Sequence, residues 1–157
     1  MLIPNTPSEV PEDTARLAKR IFKPDEAYIV LRDQFGPLYR DTDFLELYAT
    51  DGRPAVSPGI LAVVLILMYA EDLSYRQAAA QVVSRIDWKY LLGLELDYGG
   101  FDFTLLVDFH ERLLNAEAEL EYFERLLTKF QEQGLLRKRG AQRTDATHVL
   151  GAVRSMS

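Results

Sequence analysis

Apolar residues recur along this chain at helical spacing, and the punctuation between them divides it into short helices. Residues 1 to about 10 read as an extended arm, with Pro4, Pro7 and Pro11 breaking it up. A first helix is expected from Pro11 to about Phe22. Proline suits the first helical position, and Glu12 and Asp13 suit the positive end of the helix dipole. Leu17, Ile21 and Phe22 would face inward. Pro24 opens a second helix carrying Ala27, Tyr28, Val30, Leu31 and Phe35, and Gly36-Pro37 stops it. Residues 41 to 49 suggest a short helix with Phe44, Leu45, Leu47 and Tyr48 for burial. TDGRPAVSPG then reads as a loop.

Ser57-Pro58 has the form of an N-cap followed by proline at the first helical position. It leads into ILAVVLILMYA, 11 apolar residues from Ile60 to Ala70. A membrane span needs roughly 20, so this run predicts a helix buried on all sides in the middle of a bundle. After Glu71-Asp72, Ser74-Tyr75-Arg76-Gln77 fits a capping box. The next helix would bury Ala78, Ala79, Val82, Val83 and Ile86 and turn Gln77, Gln81 and Arg85 to the opposite face. Gly93 marks an end or a kink. Asp102 can cap a helix carrying Phe103, Leu106, Phe109 and Leu113, which Asn115 interrupts. Leu120, Phe123, Leu127 and Phe130 form one more amphipathic stripe. It reads as core packing, with a coiled-coil seam as the alternative. Gly134 is a natural stop. The one strand-like segment is RTDATHVLGAV. The expected fold is all-α: a multi-helix bundle with a helix-turn-helix-like segment, a basic linker and a lone strand-like tail. The helical domain would occupy residues 1–136, and 137–157 would hold the linker and strand.

Composition narrows the classes. The 157 residues are 48% hydrophobic and 27% charged, which is a globular balance. There is no cysteine, so disulfides and thiolate chemistry are excluded. The N-terminal stretch lacks the basic start and apolar core of a secretory signal. The formal net charge of −6 excludes a uniformly basic nucleic-acid binder. Charge is unevenly spread, however. Residues 137–157 hold five basic groups against one acid, a net of +4. Residues 1–136 hold 13 basic against 23 acidic groups, a net of −10. An acidic body with a basic tail suggests two roles, although RKR is also compatible with a solvated linker.

The candidate chemistry is sparse. Helix, turn and capped helix from Ile60 to Arg85 have the order of a helix-turn-helix. Gln77, Gln81 and Arg85 have side chains able to make bidentate bonds to base edges in the major groove. A polar helical face is otherwise simply solvated. Arg76, Arg85 and Lys89 offer a local basic face, and Arg137, Lys138, Arg139 and Arg143 a second one. His110 and His148 lack ligand-like spacing, and His110, near Asp108 and Glu111, reads as a surface histidine. No phosphate-cradling glycine motif or serine-nucleophile motif is present. Asp145 stands in the strand-like segment behind the basic linker, where a turn or a metal would explain it.

Three blocks in order carry a family resemblance: SPGILAVVLILMYAEDLSYRQAAAQVVSRIDWKYLLGLEL, GFDFTLLVDFHERLL and GLLRKRGAQRTDATHVLGAVR. VPEDTARLAKRIF fits as well. The chain resembles the N-terminal region of bacterial insertion-sequence transposases of the DDE type. The resemblance implies a helical domain that binds transposon ends and supports assembly, ahead of a ribonuclease-H-like catalytic domain. Asp145 matches the first of three metal-binding carboxylates, with Ala146 where the family more often has serine or glycine. The resemblance further implies Mg²⁺ in a complete enzyme, DNA terminal repeats as partner, possible pairing with itself or with full-length transposase, and a cytoplasmic, nucleoid-associated location. The chain stops before the second Asp and the Glu. It is therefore expected to be truncated after the first catalytic strand, to hold no metal and to cleave no DNA. The residues after about Gly140 are expected to be mobile or to pair with another chain. Two other readings are a helical interaction module that inhibits or oligomerises with little DNA contact, and a helical protein of unrelated function.

Overall fold

A computed structural model describes residues 2, 4, 9–48 and 56–132, with the backbone alone for 127 and 129–132. Within these residues the chain is all-α. Seven α-helices are present: α1 (Glu12–Ile21), α2 (Ala27–Phe35), α3 (Pro58–Ala70), α4 (Tyr75–Ser84), α5 (Ile86–Leu92), α6 (Phe103–Asn115) and α7 (Glu119–Glu132). A 3₁₀ segment, Asp41–Leu47, lies between α2 and α3. Gly134, the linker and the strand-like tail with Asp145 lie outside the described residues.

The bundle is built around α3, in which every residue but Tyr69 is buried. A helix so uniformly apolar has no preferred outer face and gains most by being surrounded. The 3₁₀ segment, α4 and α6 pack on it, and α5 bridges α4 to α1 and α2. Trp88, Phe44, Phe109 and Phe123 are the largest fully buried side chains. Phe44 gathers Tyr39, Phe109 and Tyr122 at ring separations of 5.5, 5.5 and 4.6 Å. No described helix is long and apolar enough to cross a membrane.

The start of α3 is closed from outside the helix. The Ser57 hydroxyl accepts from Ile60 N–H, as expected of an N-cap. In addition the buried Asp41 carboxylate accepts from the Ser57 hydroxyl at 2.5 Å and from Gly59 N–H at 3.0 Å. Burying a carboxylate is costly unless it is hydrogen-bonded, and the positive end of a helix dipole favours it there. Glycine eases the approach: a Cβ at position 59 would stand 3.0 Å from Tyr39 O and 3.1 Å from Asp41 Oδ1, a tight contact that both would have to relieve.

Three expected faces and one helix start are corrected. In α1 the buried residues are Thr14 and Ala18, while Ile21 is 54% exposed. Thr14 is inward because its hydroxyl donates to Leu94 O at 2.7 Å. The second helix begins at Ala27, not at Pro24. Val83 is 44% exposed, and Gly100, whose Cβ would sit 2.6 Å from Val83 Cγ2, passes beside it. In α7 Phe123 is buried as expected, together with Tyr122 and Leu126, but Leu120 is exposed, and the side chains of Leu127 and Phe130 lie outside the described residues.

Candidate nucleic-acid interface

Helix α3 ends in a tight left-handed turn. Asp72 has φ 55°, Leu73 N–H donates to Met68 O at 2.8 Å, and Asp72 N–H reaches Tyr69 O at 3.4 Å. These are the two bonds of a Schellman motif, here closed on aspartate rather than glycine. Two residues later Ser74 starts α4 with the expected capping box. Its hydroxyl accepts from Gln77 N–H at 3.1 Å, and Gln77 Oε1 accepts from Ser74 N–H at 2.9 Å. The axes of α3 and α4 turn through 110° across the break.

That corner is tied by a polar cluster. Glu71, in the turn, accepts from Arg85 at 2.7 Å, from the Tyr28 hydroxyl at 2.5 Å and from the Trp88 indole at 3.1 Å. Arg85, at the end of α4, also donates to both oxygens of Asp87, at 2.9 and 2.8 Å, and lies 5.2 Å from the centre of the Trp88 ring. Burial alone would raise the Glu71 carboxyl. The bonds from Arg85, Tyr28 and Trp88 outweigh it and hold the group below the ordinary carboxylate range. The Arg85 guanidinium is held charged, first by Asp87 and then by Glu71 against a burial cost.

The candidate DNA-contacting residues therefore separate. Arg76 is exposed in the first turn of α4 and stacks 4.2 Å over the Phe103 ring. Gln77 is exposed beside it. Gln81 is half-buried, and its Oε1 accepts from Arg85 at 3.4 Å. Arg85 faces Glu71 and Asp87, and Lys89 is buried in α5 with its ammonium donating to Leu96 O at 2.5 Å. The structure thus brings Arg76 and Gln77 together on the solvent side of α4 and turns Arg85 and Lys89 to internal partners. Arg137, Lys138, Arg139, Arg143 and Asp145 lie outside the described residues.

The family model of a transposase domain (DUF772) matches residues 18–112, from within α1 to within α6. The chain belongs to this family. Its role is in transposition. No curated protein and no solved structure matches the chain.

The matched segment of this transposase domain contains the whole α3–α4 corner and the cluster that ties it. It also contains His110, which the structure corrects from a surface residue to a buried one at 6% exposure. Its Nδ1 is 2.7 Å from the Tyr75 hydroxyl, and its Nε2 meets the Glu119 carboxylate. A carboxylate oxygen accepts, so an Nε2–H donates to Glu119, and Nδ1 stands within hydrogen-bond distance of the Tyr75 hydroxyl. Tyr75 starts α4 and Glu119 starts α7, so this histidine on α6 joins three helices. Nothing in its neighbourhood in the sequence reveals it, because the Tyr75 partner is 35 residues away.

Two further features bear on where an anionic partner can approach the transposase domain. An open groove of about 480 Å³ between the 3₁₀ segment and α6 is lined by Glu46, Asp108, Glu111 and Arg112, among others. Three carboxylates against one guanidinium, itself stacked on Tyr48 at 4.3 Å, disfavour DNA on that side. Among the described residues no group of three or more His, Asp or Glu side chains converges as a metal site would require. The Mg²⁺ expectation rests on Asp145 and the sequence resemblance alone.

Proposed function

We propose that the α3–α4 corner is a helix-turn-helix that reads duplex DNA at transposon ends, with α4 as the groove-entering helix. One observation carries this reading: two helices at 110° across the break Glu71–Ser74, with Arg76 and Gln77 exposed on the first turn of the second. DNA-reading corners join helices at roughly 90–120° through three or four residues. Base edges are then contacted from the N-terminal part of the second helix. Arginine and glutamine there match guanine and adenine edges respectively. Family membership supports DNA as the partner. Arg85 and Lys89 serve this site by position rather than contact: Arg85 fixes the angle at which α4 leaves α3.

Because the body is acidic, binding is expected to be weak and steeply salt-dependent. A shift assay with terminal-repeat DNA at low and high salt tests it. Binding at low salt that collapses at high salt supports the proposal. Equal binding at both, or none at low salt, overturns it. The same proposal keeps Asp145 as the first of three carboxylates. Mg²⁺, once a full set of ligands holds it, would activate the attacking water or 3′-hydroxyl.

A second reading, self-association, is favoured by Leu114 and Leu120, 52% and 47% exposed on either side of the α6–α7 turn. Light scattering across a concentration series tests it, and a strict monomer removes it.

A further inference from the structure

The described cations of this acidic body are mostly occupied. Arg16 pairs with Asp13 and Lys19 with Asp33, each within α1 or between α1 and α2. Arg85 and Arg125 have carboxylate partners, and Lys89 is buried. Arg20, in the last turn of α1, and Lys23, two residues past its end, are exposed and, like Arg40 and Arg76, make no ion pair with any described residue. Their place in the fold is fixed. Ile86, which opens α5 two residues after α4 ends, packs with Ala15 and Phe22 around Ala18, Ile29 and Tyr90. The end of α1 therefore packs on α5, whose first residue follows closely on the C-terminal end of α4.

We infer that Arg20 and Lys23 hold DNA backbone phosphates at the rim of the groove that α4 enters. The inference rests on the helix-turn-helix reading above and adds a contact that reading does not contain. Ten helical residues extend α4 over about 15 Å, whereas the major groove is about 12 Å wide. Groups flanking the C-terminal end of α4, away from Arg76 and Gln77, thus meet the phosphate ridge rather than base edges. Phosphates position the protein and carry no sequence information, and an unpaired guanidinium and ammonium are suited to them. A competing explanation gives Arg20 only the task of complementing the α1 dipole. It predicts a change in thermal stability and no change in DNA binding.

The test uses the full 157-residue chain and a labelled 30-base-pair duplex of random sequence, with anisotropy read over a series of salt concentrations. Wild type, the R20Q/K23Q double variant and an R76Q variant are compared, with melting curves for each. Removing two phosphate contacts is expected to flatten the slope of log K against log salt by about 1.8 in the double variant. Its melting temperature should stay near that of wild type. Against a terminal-repeat duplex its affinity should fall by the same factor as against the random one, whereas R76Q should narrow the difference between the two. A wild-type salt slope retained by the folded double variant overturns the inference and leaves the helix-turn-helix reading standing. Failure of wild type to bind either duplex at low salt overturns both.

Discussion

The molecule turns two helical corners in similar ways and ties them differently. Both the α3–α4 and the α6–α7 corner close on a Schellman turn with a non-glycine residue at positive φ, Asp72 in one and Glu117 in the other. The first corner is tied by Glu71, Arg85 and Asp87, with Tyr28 and Trp88 donating to the same carboxylate. It joins elements that all pack on the core. The second is tied by His110, which meets Glu119 and Tyr75, and carries α7, which is held to the 3₁₀ segment by the Tyr122 hydroxyl donating to Asp43 O at 2.8 Å. The difference teaches that equivalent backbone turns do not set equivalent rigidity. The side chains spanning the turn do, and the corner proposed to face DNA is the more heavily braced.

The largest effect is expected from Glu71→Ala. It leaves the Tyr28 hydroxyl and the Trp88 indole without their acceptor and Arg85 with Asp87 as its one carboxylate. A loss of about 2–3 kcal/mol in chemical denaturation is expected, below the full cost of breaking a wholly buried pair because Glu71 and Arg85 are partly exposed. An unchanged midpoint would show the bracing to be ornamental. His110→Ala removes a buried ring from the other corner, with a loss of about 2 kcal/mol. Hydrogen exchange should quicken in α7 and in the first turn of α4, the two elements His110 joins to α6. Uniform quickening across α3–α5 would erase the contrast between the corners.

Acid separates them further. The Glu71 carboxyl is depressed in the folded state. Its contribution is therefore full above the ordinary pKa of 4.5 and is lost as pH falls through its lowered value. Stability of the wild type should decline below about pH 4.5 more steeply than that of Glu71→Gln. Parallel curves would show that Glu71 carries no such linkage. The smallest effect runs the other way. Glu117→Gly should stabilise by about 1 kcal/mol, because glycine adopts positive φ without penalty. Asp72→Gly should gain less, since aspartate tolerates that region better. Thermal melts of the two variants check both.

Much of the fold was legible where the information is local. Ser57-Pro58, the Ser74–Gln77 box, Asp102 and Gly93 announce helix ends through residues within a few positions of one another. The apolar run Ile60–Ala70 announces its own burial. What escaped depends on partners far along the chain. Thr14 is buried because Leu94 O, 80 residues away, accepts its proton. Arg85 falls on the i, i+4 series of Gln77 and Gln81, yet α4 has ended before it. Its backbone is extended, at φ −95° and ψ 121°, and the side chain swings to Glu71 and Asp87. The face drawn through all three residues assumed a helix one residue too long. For the site, the residue types were readable and their exposure was not. Arg76 and Gln77 remain, and Lys89 turns inward. Arg20 and Lys23 lie in RLAKRIFK, whose basic character is visible but whose packing on α5 is not.

The Asp41 carboxylate reaches from the 3₁₀ segment to Ser57 and Gly59, so the chain on either side of residues 49–55 is clasped without help from the covalent link between them. Residues 1–48 and 56–157, expressed as separate chains, should therefore reassemble and melt as one body.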